Sequence, residues 1–143
     1  MKDSSIGKYL SITHRAHTSL VDKKFKKKFN LSHGQVFILI NIYRDEGICQ
    51  HRLCEEYNLD KSGVGRILKK LENKDLIIRE SDPDDKRKKL IYLTEKAKDM
   101  KAEFKELLKE IEEQMRKGLT QEEINTVRKV LKKIYKNLDE SNV

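Results

Sequence analysis

Between Asp60 and Lys74 the sequence sorts cations and small polar residues away from apolar ones at a helical period. Val64, Ile67, Leu68 and Leu71 recur at i, i+3, i+4, i+7 spacing, which is one face of a helix. The other face carries Lys61, Ser62, Gly63, Gly65, Arg66, Lys69 and Lys70, with no acid among them. Such a set suits contact with nucleic acid. An Arg guanidinium makes a bidentate contact with guanine, and a Ser hydroxyl donates to or accepts from a base edge. Lys69 and Lys70 suit phosphate or plain solvent. Gly63 and Gly65 each lower helix propensity by about 1 kcal/mol in an exposed interior. Close approach of the backbone to a nucleic acid accounts for both; tolerated accidents are the alternative. Gln50 and His51, which open the preceding helix, are placed to reach phosphates by side chain or backbone N–H.

A second basic cluster follows. Leu76, Ile77 and Ile78 form one short strand-like run, and Leu90, Ile91, Tyr92 and Leu93 another. Ser81-Asp82-Pro83-Asp84-Asp85 is a turn, and Lys86-Arg87-Lys88-Lys89 lies between it and the second run. An Arg inserted into a minor groove reads its width rather than individual bases. The alternative is a charged hairpin that only keeps an edge strand from pairing. Helix, strand, basic loop, strand is the order of a winged helix.

These clusters must be positioned by the rest of the chain. Ile6, Tyr9, Leu10, Thr13, Ala16, His17, Leu20, Val21 and Phe25 predict a first helix from roughly Ser4 to Lys28. Its basic end (Lys23, Lys24, Lys26, Lys27, Lys28) is either macrodipole capping or a second DNA-contacting patch. Ser32 and Gln35 form a capping box for an apolar second helix with Val36, Phe37, Leu39, Ile40 and Tyr43. A third spans Gln50 to Tyr57 with Leu53, Cys54 and Tyr57 inward, then a tight turn at Asn58-Leu59 and an N-cap at Asp60. Two short helices joined this way form a helix-turn-helix. Thr94 caps one continuous fifth helix ending at Gly118, and Thr120 with Glu123 caps a sixth. Both late helices carry narrow apolar stripes, which predicts an intertwined homodimer arm. The expected fold is mainly α, a winged helix-turn-helix with an α+β wing. Residues 31–94 form the DNA-binding region; residues 1–30 and 95–143 form the dimerisation region.

The bulk properties agree. A length of 143 residues allows one compact unit, and 36% hydrophobic against 39% charged leaves a modest core. The net charge of +8 suits an anionic partner, or a Lys/Glu-rich surface selected for solubility or heat. No apolar run approaches a membrane span, and Met1-Lys2-Asp3-Ser4-Ser5 lacks a signal peptide's apolar core, so a cytoplasmic location without membrane contact is expected. Two cysteines make no disulfide framework. No Cys/His/Glu set has metal-ligand spacing, and no cofactor is expected. There is no Gly-rich phosphate loop, nucleophile with a base, or carboxylate pair, so no enzyme is expected.

The stretch from Asp82 to Thr94 resembles the wing signature of the MarR family of bacterial and archaeal transcriptional regulators, Asp-x-Arg followed by Leu-x-Leu-Thr. Leu59-Asp60-Lys61-Ser62 resembles the start of that family's recognition helix, and Leu119-Thr120-Gln121-Glu122-Glu123 the opening of its last helix. Gly63, Lys86 and Lys98 depart from the residues common in the family. The resemblance implies a homodimeric repressor on a near-palindromic duplex, with Asp85 steering Arg87 or bracing the turn while Lys86, Arg87 and Lys88 meet DNA. It also implies a pocket for a small aromatic or anionic effector, for which His14, His17 and Tyr43 are candidates. Its peroxide-sensing branch uses a first-helix cysteine that this chain lacks. Cys49, near a helix N-terminus, is the remaining redox candidate. A winged-helix protein adaptor without DNA is the other alternative.

Overall fold

The computed structural model describes residues 4–57 and 59–139, without the side chain of Tyr57. The inward placing of Tyr57 and the role of Asn58 in the turn lie outside the described residues. The elements run α1 (Ile6–Phe29), α2 (His33–Arg44), α3 (Gln50–Tyr57), α4 (Lys61–Asn73), β1 (Ile77–Ser81), β2 (Lys89–Leu93), α5 (Glu95–Asp99), α6 (Lys101–Arg116) and α7 (Gln121–Leu138). Compact units form within residues 1–107 and within residues 108–143.

In the first unit, α1 starts at Ser5, whose hydroxyl accepts from the Lys8 N–H. It stops at Asn30, which sits in the left-handed region at φ 55°. There the N–H groups of Asn30 and Leu31 return to the carbonyls of Lys26 and Phe25, satisfying the last turn. Val21 and Phe25 face inward. Asp22 clasps the start of α2: its Oδ1 accepts from the His33 backbone N–H at 2.7 Å, and the His33 ring lies 3.0 Å from Oδ2. Burial alone would raise the Asp22 carboxyl; the hydrogen bonds and charge of His33 outweigh it and hold the group below its usual value. The Gln35 side chain accepts from the Ser32 N–H, as the capping box requires.

Val64, Leu68 and Leu71 of α4 are fully buried, as are Leu39 and Ile42 of α2 and Leu53 of α3, the helices α4 packs on. The hairpin pairs Ile77 with Leu93, Arg79 with Ile91 and Ser81 with Lys89. An addition that periodicity does not signal is a third short edge. Cys49 bridges Leu90, and the Gly47 N–H donates to the Ile91 carbonyl at 2.7 Å. The segment leading into α3 is thus hydrogen-bonded to the wing. Gly47 permits this at φ 92°, a conformation L side chains rarely adopt. Cys54, expected in the core, is only half-buried.

One helix was expected from Thr94 to Gly118, and the structure divides it at Met100 into α5 and α6. The cause lies on α2. The Tyr43 hydroxyl donates to the Ala97 carbonyl at 2.6 Å, the acceptor a continuous helix would offer to the Lys101 N–H. The Tyr43 ring packs 5.1 Å from Phe104, which meets Phe25 edge-on at 5.0 Å. These three rings join α1, α2 and α6.

In the second unit, α6 ends before Gly118 at φ 81°, and Thr120 and Glu123 form the expected capping box at α7. Ile111 and Ile124 are buried. Val127, Val130, Leu131, Tyr135 and Leu138 leave an apolar stripe exposed along α7. Among the described residues no helix is long and apolar enough to cross a membrane.

Burial pushes the Tyr43 phenol up to about 12 from 10.0. The unfolded chain therefore loses this proton before the folded one, and stability should fall as pH rises between those values. Tyr43→Phe is expected to flatten that fall in urea unfolding, and to lower neutral-pH stability by about 1 kcal/mol.

Candidate nucleic-acid interface

The exposed face of α4 is built from its cap. Asp60 Oδ1 accepts from the Gly63 N–H at 3.0 Å, and Oδ2 accepts from the Ser62 hydroxyl at 2.8 Å. These bonds, with the nearby Arg66 charge, hold the Asp60 carboxyl below its usual value. Two consequences follow. The Ser62 hydroxyl already donates within the chain, so it meets a base edge through its free lone pairs unless it leaves Asp60. Gly63 has an intramolecular reason: a Cβ there would lie 2.3 Å from Asp60 Oδ1. Gly65 has no such reason, since its Cβ would meet Gln50 Nε2 at an ordinary 3.5 Å. Lys61, Arg66, Lys69 and Lys70 are exposed on the same helix.

Gln50 is not simply a group held out to phosphate. Its Oε1 accepts from Arg79 Nη1 at 3.2 Å. Arg79 also donates through Nε and Nη2 to Glu72 Oε1, at 2.9 and 2.5 Å. The set ties α3, α4 and β1 together. Sequence reasoning missed it, although strand alternation places Arg79 on the inward face with Ile77. His51 is 79% exposed and pairs with Glu55 one turn on, at 2.8 Å.

The wing resolves its own charge conflict. Asp82 Oδ1 accepts from the Asp84 N–H at 2.8 Å, and Asp85 Oδ1 from the Arg87 N–H at 3.1 Å. Both carboxylates thus turn back to brace the loop. Asp85 Oδ1 also lies 3.3 Å from Arg87 Nε, while the Arg87 side chain stays 92% exposed. Lys86 and Lys88 are exposed beside it.

The candidate effector residues lie on α1 and α2. His14 is exposed on α1, His17 stacks on Phe37 at 5.8 Å, and the Tyr43 hydroxyl is taken by Ala97. Among the described residues no group of three metal-ligating side chains gathers. Cys49 is half-buried at the sheet bridge, and burial pushes the Cys54 thiol up.

The two helix glycines should behave differently. Gly65→Ala is expected to raise folding stability by up to about 1 kcal/mol from helix propensity alone. Gly63→Ala makes the Asp60 carboxylate shift, and what that takes from the cap offsets part of the same gain. Equal stabilisation by both in urea unfolding would remove the cap as the reason for Gly63.

Known proteins share this arrangement. Residues 31–89 match the model of the MarR family. The uncharacterized HTH-type transcriptional regulator YybA of Bacillus subtilis is 31% identical over 125 residues, covering 87% of this chain and 83% of that protein. The HTH-type transcriptional regulator MgrA of Staphylococcus aureus is 28% identical over 118 residues, covering 82% and 79%. A Listeria monocytogenes protein assigned to the MarR family of transcriptional regulators, solved in complex with 26mer DNA, superposes with a TM-score of 0.86 at 31% identity, covering 96% of this chain and 90% of that one. Recognition helix, braced wing and sequence likeness agree: this chain belongs to the MarR family of transcriptional regulators.

Proposed function

We propose that two copies of this chain bind one near-palindromic DNA duplex and repress transcription by occupying it. Each copy sets α4 in a major groove and its wing in the adjacent minor groove. Residues 31–94 serve as the reading lobe, and residues 1–30 and 95–143 as the dimer arm. One observation carries the reading. Three carboxylates beside the exposed cations are engaged by the chain itself, Asp60 in the α4 cap and Asp82 and Asp85 in the wing turn, and only Asp84 of that turn keeps an exposed carboxylate without a partner among the described residues. Arg66 and Arg87 are thereby left facing solvent, which suits an anionic duplex. The Listeria relative solved in complex with 26mer DNA supports DNA as the partner. The dimer rests on the exposed stripe of α7 and on Ile6, Tyr9 and Leu10 of α1, apolar surfaces of the kind a second copy covers. Two reading heads then fall about one helical turn of DNA apart.

Selection of bound duplexes from a random library should return inverted repeats; an absence of enrichment would sink the proposal. On a selected duplex, log affinity should fall with log salt at about −0.9 per neutralised phosphate. Arg66→Ala should weaken binding by about 1–3 kcal/mol and relax preference at one position per half-site. Arg87→Ala should weaken binding with the dimer still folded. Unchanged affinity at fixed salt removes either residue from the site. In sedimentation the wild type should run at twice the chain mass, and Leu131→Glu should shift it toward the monomer. A wild type that stays monomeric at micromolar concentration contradicts the paired reading heads.

A further inference from the structure

A crevice of about 880 Å³ opens in the first unit, between the C-terminal end of α1, the α4–β1 turn and the α5–α6 junction. Its charge is one-sided. Lys26, Lys27, Lys28, Lys74 and Lys96 line it, opposed by Asp99 and Glu103. Glu103 lies 3.9 Å from Lys28, so part of the acid is already engaged. None of these lysines belongs to the α4 face or the wing.

Two of the ammonium groups are held in place without an anionic partner. Lys74 Nζ donates to the Asn30 carbonyl and, at 2.7 Å, to Gln35 Oε1. Lys96 Nζ donates to the Lys74 carbonyl at 2.9 Å. Every acceptor is neutral, and among the described residues neither ammonium forms an ion pair. An ammonium has three donors, so N–H groups remain on both. Burial, and then Lys70, push Lys74 below its usual value, the direction expected of a cation short of neutralising charge. Lys74 also serves as the C-cap of α4 and helps close the end of α1. Its position is therefore fixed by the fold before any ligand arrives, which lowers the entropy a ligand must overcome.

We propose that this crevice is a binding site for a phosphate-bearing small molecule. The chemistry follows from the donors. Compact ammonium groups bind phosphate as point charges, whereas planar carboxylate recognition favours guanidinium forks, and no Arg lines the crevice. The volume lies within the range of small-molecule sites. A phosphate of the DNA backbone carries the same chemistry, so the experiment must separate the two sources.

The test uses the full chain without DNA. Inorganic pyrophosphate is titrated calorimetrically, with chloride adjusted to keep ionic strength constant. Saturable binding at one site per chain is expected. Lys27 and Lys96 are exposed, so Lys27→Gln with Lys96→Gln should leave the thermal melt unchanged and weaken pyrophosphate binding about tenfold or more. Lys69→Gln, on the α4 face, should leave it unchanged. No saturable heat, or equal binding by the Lys27/Lys96 double variant, overturns the site. If that double variant instead lowers duplex affinity and the salt slope in phosphate-free buffer, the lysines follow the DNA backbone and the small-molecule reading is overturned. Because binding is read without DNA, its failure leaves the proposed DNA contact untouched.

Discussion

Arg79 leaves β1 and reaches two helices at once, donating twice to Glu72 of α4 and once to Gln50 of α3. Its side chain is 22% exposed and that of Glu72 is 29%, so the contact is shielded from most solvent screening. A half-buried pair of this kind stabilises the fold only when its donors and acceptors are well matched; removing one partner leaves the other charge uncompensated. Here two donors converge on one carboxylate oxygen and the third is taken by an amide. The geometric effect exceeds the energetic one. β1, α4 and α3 are thereby tied to one another by a single side chain. The bridge from Cys49 to Leu90 ties the wing to α3 a second time.

Around that frame, the acids near the reading surface serve local structure. Asp60 closes the first turn of α4, and Asp82 and Asp85 close the wing loop. Their negative charge is bound to backbone N–H groups, while the cations they flank remain in solvent. Asp82 and Asp85 of the acidic stretch therefore shape the loop, while the Asp84 carboxylate stays exposed. Asp85 does this twice, since the oxygen that accepts the Arg87 N–H also lies beside its guanidinium. An Arg held this way has less rotamer freedom to lose on binding an anion.

What could be read from the chain was local. The period of Val64, Leu68 and Leu71, the caps at Asp60, Thr94 and Thr120, and the two wing strands all depend on residues a few positions apart, and the structure has each of them. What could not be read depends on distant partners. The break at Met100 comes from a hydroxyl 54 residues away in sequence. The bond from Arg79 to the Gln50 side-chain oxygen and the closeness of Gly63 to the Asp60 carboxylate are likewise three-dimensional facts with no local signal. Arg79 was the one omission that strand alternation could have exposed. The grouping of His14, His17 and Tyr43 rests on resemblance; the packing sets the His17 ring on Phe37 and the Tyr43 hydroxyl on the Ala97 carbonyl, and leaves His14 exposed.

The central claim is that a symmetric pair of rigid reading heads grips one duplex. Dimethyl sulfate footprinting of the protein on its selected duplex, which reads guanine N7 in the major groove and adenine N3 in the minor groove, measures that directly. The account predicts two protected patches related by a dyad, about one helical turn apart, each flanked by a minor-groove protection where a wing enters. A single protected patch, or two major-groove patches without the flanking minor-groove signal, would contradict it.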